Sequence, residues 1–430
     1  MSSIEKIPED LLLEFLSRIP TKYVVRSANV SRSWRDITNE EYFRNLHSAR
    51  CLSLASHIAS PPSPLFFTVF ESEEFSVISM SLGQDHARTS GSKEHKPRIR
   101  QIIRKRSSSF YQDVNETWET TAYKLSNTCN GLLCIKPSRD CKQSIEVCNP
   151  LTLEYTTVPP CSDVDLLCFS VGLGYSPSTR EYKVVALTLN YEFRFYGSEE
   201  DDNVGGKLLV YTLGSDDEQW RYVQDINFYP REGPLYLQGR MYWIIYDGRS
   251  LAQTTKLRLV FFDLETEKFV EVESMPGLFE HQEVHLMDFE GAIAAIFVQI
   301  SQIDIWVLMD NHWERRHRIK LPCLPVGREE SFPRFIGLWE RDNGVLQIWL
   351  HDVMLLYDER DDLEGNYTMY QEPDLSQKKL AWHLCTSYKP SFLSLKRLGC
   401  KTRETSLDRV WDMEVPPNCH PRWKVIDLEF

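Results

Sequence analysis

The sequence predicts two parts, a three-helix module over residues 1–46 and a long all-β body behind it. Two observations carry this. Apolar residues recur at helical spacing only near the N-terminus. After residue 50, short runs of Val, Ile, Leu, Tyr, Phe and Trp alternate with turn residues at strand spacing. The β runs also repeat. Gly239, Gly291 and Gly344 each open a similar unit, at intervals of about fifty residues, the period of a ring of four-stranded sheets. At 430 residues the chain exceeds one ordinary domain unless it is built of repeats, and 42% hydrophobic residues are ample for a large core.

The helical part is IEKIPEDLLLEFLSRIPTKYVVRSANVSRSWRDITNEEYF, residues 4–43. Pro8 suits a helix start, and Glu9 and Asp10 complement its positive end. Leu11, Leu12, Phe15, Leu16 and Ile19 then make one wide apolar face, and Pro20 disfavours continuing it. Val24, Val25, Val30 and Trp34 belong to the short helices that follow. So much apolar surface on about 40 residues is near the lower limit for an independent core, so a partner surface is expected to complete the burial.

The order I-P-x-D-L-L-L-E-F-L-S-R-I-P, then V-V-R, then V-S-R-S-W-R resembles an F-box. The resemblance implies binding to a Skp-type adaptor and, through it, to a cullin-RING ubiquitin ligase. Pro8, Leu11, Leu12, Leu16, Ile19, Val24, Val25, Val30 and Trp34 match the family's adaptor-facing and helix-core pattern, two roles the sequence does not separate. The chain departs from the pattern at Ser27, Ala28 and Asn29, where relatives usually carry an aromatic, a basic and a small apolar residue.

In the body, a glycine is followed by two apolar strands, a polar turn, a third strand and often proline. GLLCIKPSRDCKQSIEVCNPLTLEYTTVPP (131–160) shows the unit plainly. Glu265-Thr266-Glu267, Asp310-Asn311-His312 and Gly214-Ser215-Asp216 are hairpin turn chemistry. Strand-like runs over 51–82 are expected to close the ring with the C-terminal end. The fold class expected is thus a three-helix module followed by a kelch-like β-propeller, with an irregular β-sandwich as the alternative. Cys129-Asn130-Gly131-Leu132-Leu133-Cys134, Asn149-Pro150, Gly172-Leu173-Gly174-Tyr175, Tyr182-Lys183-Val184-Val185, Val210-Tyr211, Trp220-Arg221 and Phe262-Asp263-Leu264 resemble, in order, the F-box-associated domain of plant F-box proteins. The division expected is 1–46 for the adaptor, 47–395 for target recognition and 396–430 as an irregular tail, strapped to the body by Trp411, Trp423 and Ile426.

A net charge of −13 argues against a general nucleic-acid partner. No apolar run reaches membrane length, and the N-terminus lacks a secretory pattern, so a cytoplasmic or nuclear site is expected. The eleven cysteines fit reduced thiols, and the cluster Cys129, Cys134, Cys141 and Cys148 reads as small core hydrophobes rather than a zinc site. His281 and His285 are set in a loop entering a strand, not on a zinc-protease helix. No catalytic motif stands out and no cofactor is expected. Two charged stretches depart from the pattern, the basic run 86–109, expected as a loop inserted between strands, and the acidic Glu199–Asp202. With the resemblance, the reading is a non-catalytic substrate receptor of an SCF-type ligase that brings an unidentified target protein to it. The alternatives are a non-proteolytic F-box scaffold and, more remotely, a propeller enzyme or glycan binder.

Overall fold

The computed structural model describes residues 8–53, 63–69, 74–81, 98–106, 123–137, 145–152, 154–159, 166–190, 206–228, 230–231, 233–247, 256–272, 275, 283–321, 335–340, 345–350, 353–358, 367–371, 381–404 and 424–426. The chain opens with α1 (Glu9–Leu16), α2 (Thr21–Ser27), α3 (Arg32–Asn39) and α4 (Glu41–Ser53). Pro8 precedes α1 at its N-cap position, and Ser31 caps α3 by accepting a hydrogen bond from the Trp34 amide at 3.2 Å. The module therefore has four helices, and α4 runs past residue 46. It takes in Cys51–Ser53, which were expected to start a strand.

Six antiparallel sheets follow among the described residues. β1 (Ser63–Val69), β2 (Glu74–Ser81) and β3 (Arg98–Arg106) begin blade 1. Blade 2 is β4 (Tyr123–Cys129), β5 (Leu132–Pro137), β6 (Ile145–Asn149) and β7 (Glu154–Val158). Blade 3 is β8 (Leu166–Ser176), β9 (Glu181–Asn190), β10 (Gly206–Thr212) and β11 (Arg221–Ile226). Blade 4 is β12 (Leu235–Leu237), β13 (Arg240–Asp247), β14 (Lys256–Asp263) and β15 (Lys268–Glu271). Blade 5 is β16 (Glu283–Phe289), β17 (Ala292–Val298), β18 (Gln302–Met309) and β19 (His312–Lys320). Blade 6 is β20 (Phe335–Glu340), β21 (Val345–Leu350), β22 (Val353–Asp358) and β23 (Tyr367–Gln371). β24 (Ala381–Tyr388) returns to pair with β1, so the last inner strand completes the first blade. β25 (Arg403–Glu404) and β26 (Lys424–Ile426) add fifth strands outside β7 and β23.

Burial on both faces of the sheets makes this a propeller rather than a sandwich. Along β9, Val184 and Ala186 pack toward blade 2 while Val185 and Leu187 pack toward blade 4. Along β17, Ile293, Ala295 and Phe297 meet blade 4, whereas Ala294, Ile296 and Val298 meet blade 6. Successive side chains of a strand point to opposite faces, so a continuous apolar run demands a sheet covered on both sides. The first strand of each blade is innermost, and β4, β8, β12, β16, β20 and β24 contact one another around the axis. Adjacent inner strands form no ladder, and side chains bridge some of the gaps. Asn127 on β4 donates to the Leu173 carbonyl and accepts from the Leu173 amide on β8, both at 2.8 Å.

Of the recurring glycines of the sequence unit, Gly131, Gly239 and Gly291 lie in the turns between first and second strands, and Gly344 lies outside the described residues. Asn130-Gly131, Gln238-Gly239 and Glu290-Gly291 all have positive φ, as a two-residue hairpin turn of that hand requires. Gly172 serves differently, since a Cβ there would overlap Pro234 and Met241 of the neighbouring blade.

The basic run 86–109 is corrected in its second half. Arg98–Arg106 is β3, paired with β2, so a strand occupies much of the expected loop. Its isoleucines favour a strand, and charged residues are tolerated because β3 is the outer edge of its sheet. The tail boundary at 395 likewise falls inside an ordered segment, 389–404. Ile426 lies on β26, and Trp411 and Trp423 lie outside the described residues.

Candidate adaptor surface and target-binding face

The helical module separates the two roles that the sequence left merged. Leu12, Leu16 and Val24 are buried with Ile37 and Phe43, and Leu13, Ile19, Val25 and Trp34 pack partly against them. These residues build the module's own core. Leu11 (62% exposed), Phe15 (55%) and Val30 (56%) stand in solvent with Tyr23 and Tyr42, and Pro8 is exposed at the start of α1. Leu11 and Phe15 are four residues apart on α1, beside the buried Leu12–Leu16 stripe rather than within it. Of the nine residues singled out from the sequence, Pro8, Leu11 and Val30 are thus fully surface residues. Ser27, where the sequence departs from its pattern, ends α2: its buried hydroxyl donates to the Val24 carbonyl at 2.7 Å.

Charged groups tie α4 back to α1. Arg50 on α4 donates to Glu14 at 2.9 Å and to Ser17, while Arg18 also reaches Glu14. The Arg50 hydrogen bond is the main reason the Glu14 carboxyl is held below its usual range. Behind this pair His47 is fully buried, with Nε2 2.9 Å from the Ile19 carbonyl. Burial pushes its pKa down, only partly offset by that hydrogen bond.

In blades 2 to 5 the described turns joining first to second strands share one face of the ring, and the third strands also end there; the second strands end, and the third begin, toward the other. The helices meet the first face: Leu151, after β6, packs against their core, and Arg397 pairs with Glu41 at 3.0 Å. The far face carries the start of the inner strands. There the Phe335 amide donates to Glu283 at 3.3 Å, and His285 sits 3.4 Å from the same carboxylate with its ring 4.9 Å from that of Phe335. Burial alone would raise the Glu283 pKa, but the His285 hydrogen bond and charge outweigh it and lower it. The acidic Glu199–Asp202 lie outside the described residues, as does His281. They connect β9 to β10, whose joined ends point to the far face.

Comparison with known families fits this geometry. A model of the F-box domain matches residues 4–46, and one of the F-box associated beta propeller domain matches residues 65–330. The chain belongs to the F-box-associated propeller family. "F-box protein At3g07870" of Arabidopsis thaliana is 24% identical over 369 residues, 79% of this chain and 79% of its own length. "Putative F-box protein At4g38870" from the same plant is 26% identical over 342 residues, 76% of this chain and 71% of its own. The crystal structure of TolB from Acinetobacter baumannii overlays at a TM-score of 0.36 and 8% identity, over 81% of this chain and 70% of its own, and carries no argument.

The motif residues behind the family resemblance have architectural tasks in this F-box protein. Trp220 donates to the Pro159 carbonyl at 2.8 Å, linking blade 3 to blade 2. Lys183, buried, donates to the Leu264 carbonyl and to Glu267, both at 3.0 Å, across the blade 3–4 interface. Asp263 closes its own turn by accepting from the Glu265 and Thr266 amides. Cys129 and Cys134 are buried in the blade 2–3 core and Cys148 is buried beside it, as expected of small hydrophobes, while Cys141 lies outside the described residues. Among the described residues no helix is long and apolar enough to cross a membrane. The sequence reading missed Phe392. It lies in KPSFLSLKRLG (389–399), which has neither strand nor helix periodicity, and only its aromatic between a proline and leucines marked it.

Proposed function

We propose that this F-box protein is the substrate-recognition subunit of an SCF-type ubiquitin ligase, non-catalytic itself. It binds a Skp-type adaptor through the exposed apolar residues of its helices and a target protein through the propeller. The carrying observation is the exposure of Leu11, Phe15 and Val30 on a module whose own core is already filled by Leu12, Leu16, Val24, Ile37 and Phe43. Large apolar side chains left in water beside a complete core suit a protein partner. The contribution to ubiquitination is positional: a captured target lysine is held at high effective concentration near a ubiquitin-charged enzyme. Target recognition is assigned to the face opposite the helices, because they pack against the near face at blade 2.

The test is a pull-down of purified adaptor with the Leu11→Asp/Phe15→Asp variant of the full chain. Charge at an apolar contact costs several kcal/mol, so capture should fall by about a hundredfold. Circular dichroism should be unchanged, since neither side chain supports the core. Undiminished capture would overturn the adaptor assignment. For the target, affinity purification with the proteasome blocked should recover a partner that is lost when far-face residues such as Glu283 are replaced, and whose cellular level rises when the receptor is deleted.

A further inference from the structure

We infer that residues 389–404 form a strap that locks the F-box to the propeller in one orientation, with Phe392 as its pin. The inference deepens the receptor reading above, because orientation is what a positional catalyst supplies.

The strap leaves β24 and crosses the near face of blade 2 before ending in β25. Its propeller side is held by backbone and side-chain hydrogen bonds. Asn149 Nδ2 donates to the carbonyls of Ser391 at 3.0 Å and Leu393 at 2.6 Å. The Ser391 hydroxyl donates to the Asn130 carbonyl at 2.6 Å. Glu154 accepts from the Leu395 amide at 2.6 Å and from the Ser394 hydroxyl at 2.9 Å, and Thr156 donates to the Lys401 carbonyl at 3.1 Å. Leu395 is wholly buried in the blade 2–3 core. Gly131 makes room, since a Cβ there would overlap Ser391.

Between the two anchored carbonyls, Phe392 turns the other way and enters the F-box. It is buried with Leu12, Leu16, Val24, Ile37 and Phe43. Its ring meets His47 edge-on at 5.4 Å and Phe43 at 6.3 Å, and the Arg44 guanidinium lies 5.7 Å from its centre. Arg397 and Glu41 add an ion pair one turn further on. One residue thus belongs to the helical core while its neighbours on both sides belong to the propeller. A single covalent link between two domains permits hinging, and a second, non-covalent attachment far away in sequence removes that freedom. Asn130, Gly131 and Asn149, prominent in the sequence motifs, are in this reading the receptor of the strap.

The experiment measures a distance distribution in the full chain by pulsed electron resonance. Spin labels are placed through unnatural amino acids at exposed Arg32 on α3 and Glu265 in the β14–β15 turn, because eleven native thiols preclude cysteine labelling. The unmodified strap should give one narrow distribution. Phe392→Ala and, separately, Asn149→Ala should each broaden it at least twofold, Phe392→Leu should keep it narrow, and adaptor affinity should stay within about threefold throughout. A distribution that stays narrow in both alanine variants would overturn the strap. Loss of adaptor binding in step with loss of helical signal in Phe392→Ala, with Asn149→Ala still narrow, would also overturn it, making Phe392 ordinary F-box core. Because the distances are read on the free chain, failure of wild-type adaptor binding would instead strike the receptor reading alone.

Discussion

At the scale of single residues, two buried ionisable groups make predictions of opposite kinds. Lys183 and Glu267 form a pair between blades 3 and 4, and Arg221 binds the same carboxylate at 2.6 and 2.8 Å. Burial by itself would raise the Glu267 pKa, but hydrogen bonds from Arg221 and Lys183 outweigh it and lower it. Removing Lys183 leaves the Leu264 carbonyl without its donor and the Glu267 carboxylate with Arg221 as its remaining cationic partner. Lys183→Ala should therefore destabilise the propeller by about 2–3 kcal/mol, read as a lower denaturant midpoint. Lys183→Met with Glu267→Leu should recover much of that loss, since no charge remains buried and the exposed Arg221 is left to water. His47 behaves differently, because burial depresses its pKa below the ordinary 6.5. The unfolded chain then takes up a proton that the folded F-box refuses. Stability from this group is complete above pH 6.5 and declines as pH falls through the folded value. Melting of the F-box should thus drop on acidification below that point, and the drop should be smaller in His47→Gln. Glu14, whose pKa is lowered from 4.5, loses its contribution only in a more acidic range, so the two effects separate on the pH axis. A melting temperature equally sensitive to pH in the His47 variant would show that another group is responsible.

At the scale of elements, β3 and β24 decide how the ring holds together. β24 pairs with β1 and β3 with β2, so blade 1 joins strands more than three hundred residues apart in the chain. Such closure ties the ends of the chain into one cooperative unit. The basic run 86–109 would be dispensable if it were wholly a loop, but Arg98–Arg106 is the outer strand of the closing blade. Deleting 98–106 should lower the melting temperature by several degrees, because a whole strand's ladder and packing are lost. A deletion variant that melts with the parent chain would show that β3 adds nothing to closure. The F-box helices follow the opposite logic. Their sequence pattern is local, and what it left open was which apolar residues face inward, because Leu11–Phe15 and Leu12–Leu16 are adjacent stripes of one helix.

At the scale of the whole molecule, the helices pack against one side of the ring, and the proposed target-binding face lies on the other. Complementary charge on a far-face surface speeds encounter and rejects wrong partners, and its effect is screened within about 10 Å at 0.1 M salt. Target association rates should therefore fall as ionic strength rises, while adaptor binding through Leu11 and Phe15, being apolar, should change little. Surface plasmon resonance at two salt concentrations distinguishes the two surfaces.

The sequence alone determined the helical module, the all-β body, the repeat near fifty residues and the turn glycines. These are local properties: a hairpin turn with positive φ needs glycine wherever it occurs, and an apolar run spaced for strands is visible without knowing its neighbours. Tertiary structure decided the rest. It decided that Val184 and Val185 face different blades, that Leu12 is core while Leu11 is surface, and that Asn149 grips Ser391 across a separation of 242 residues. It placed Phe392 in the helical core and turned part of an apparent basic loop into an edge strand. Each of these depends on which distant segments lie side by side, and burial is a property of that assembled neighbourhood rather than of the residue.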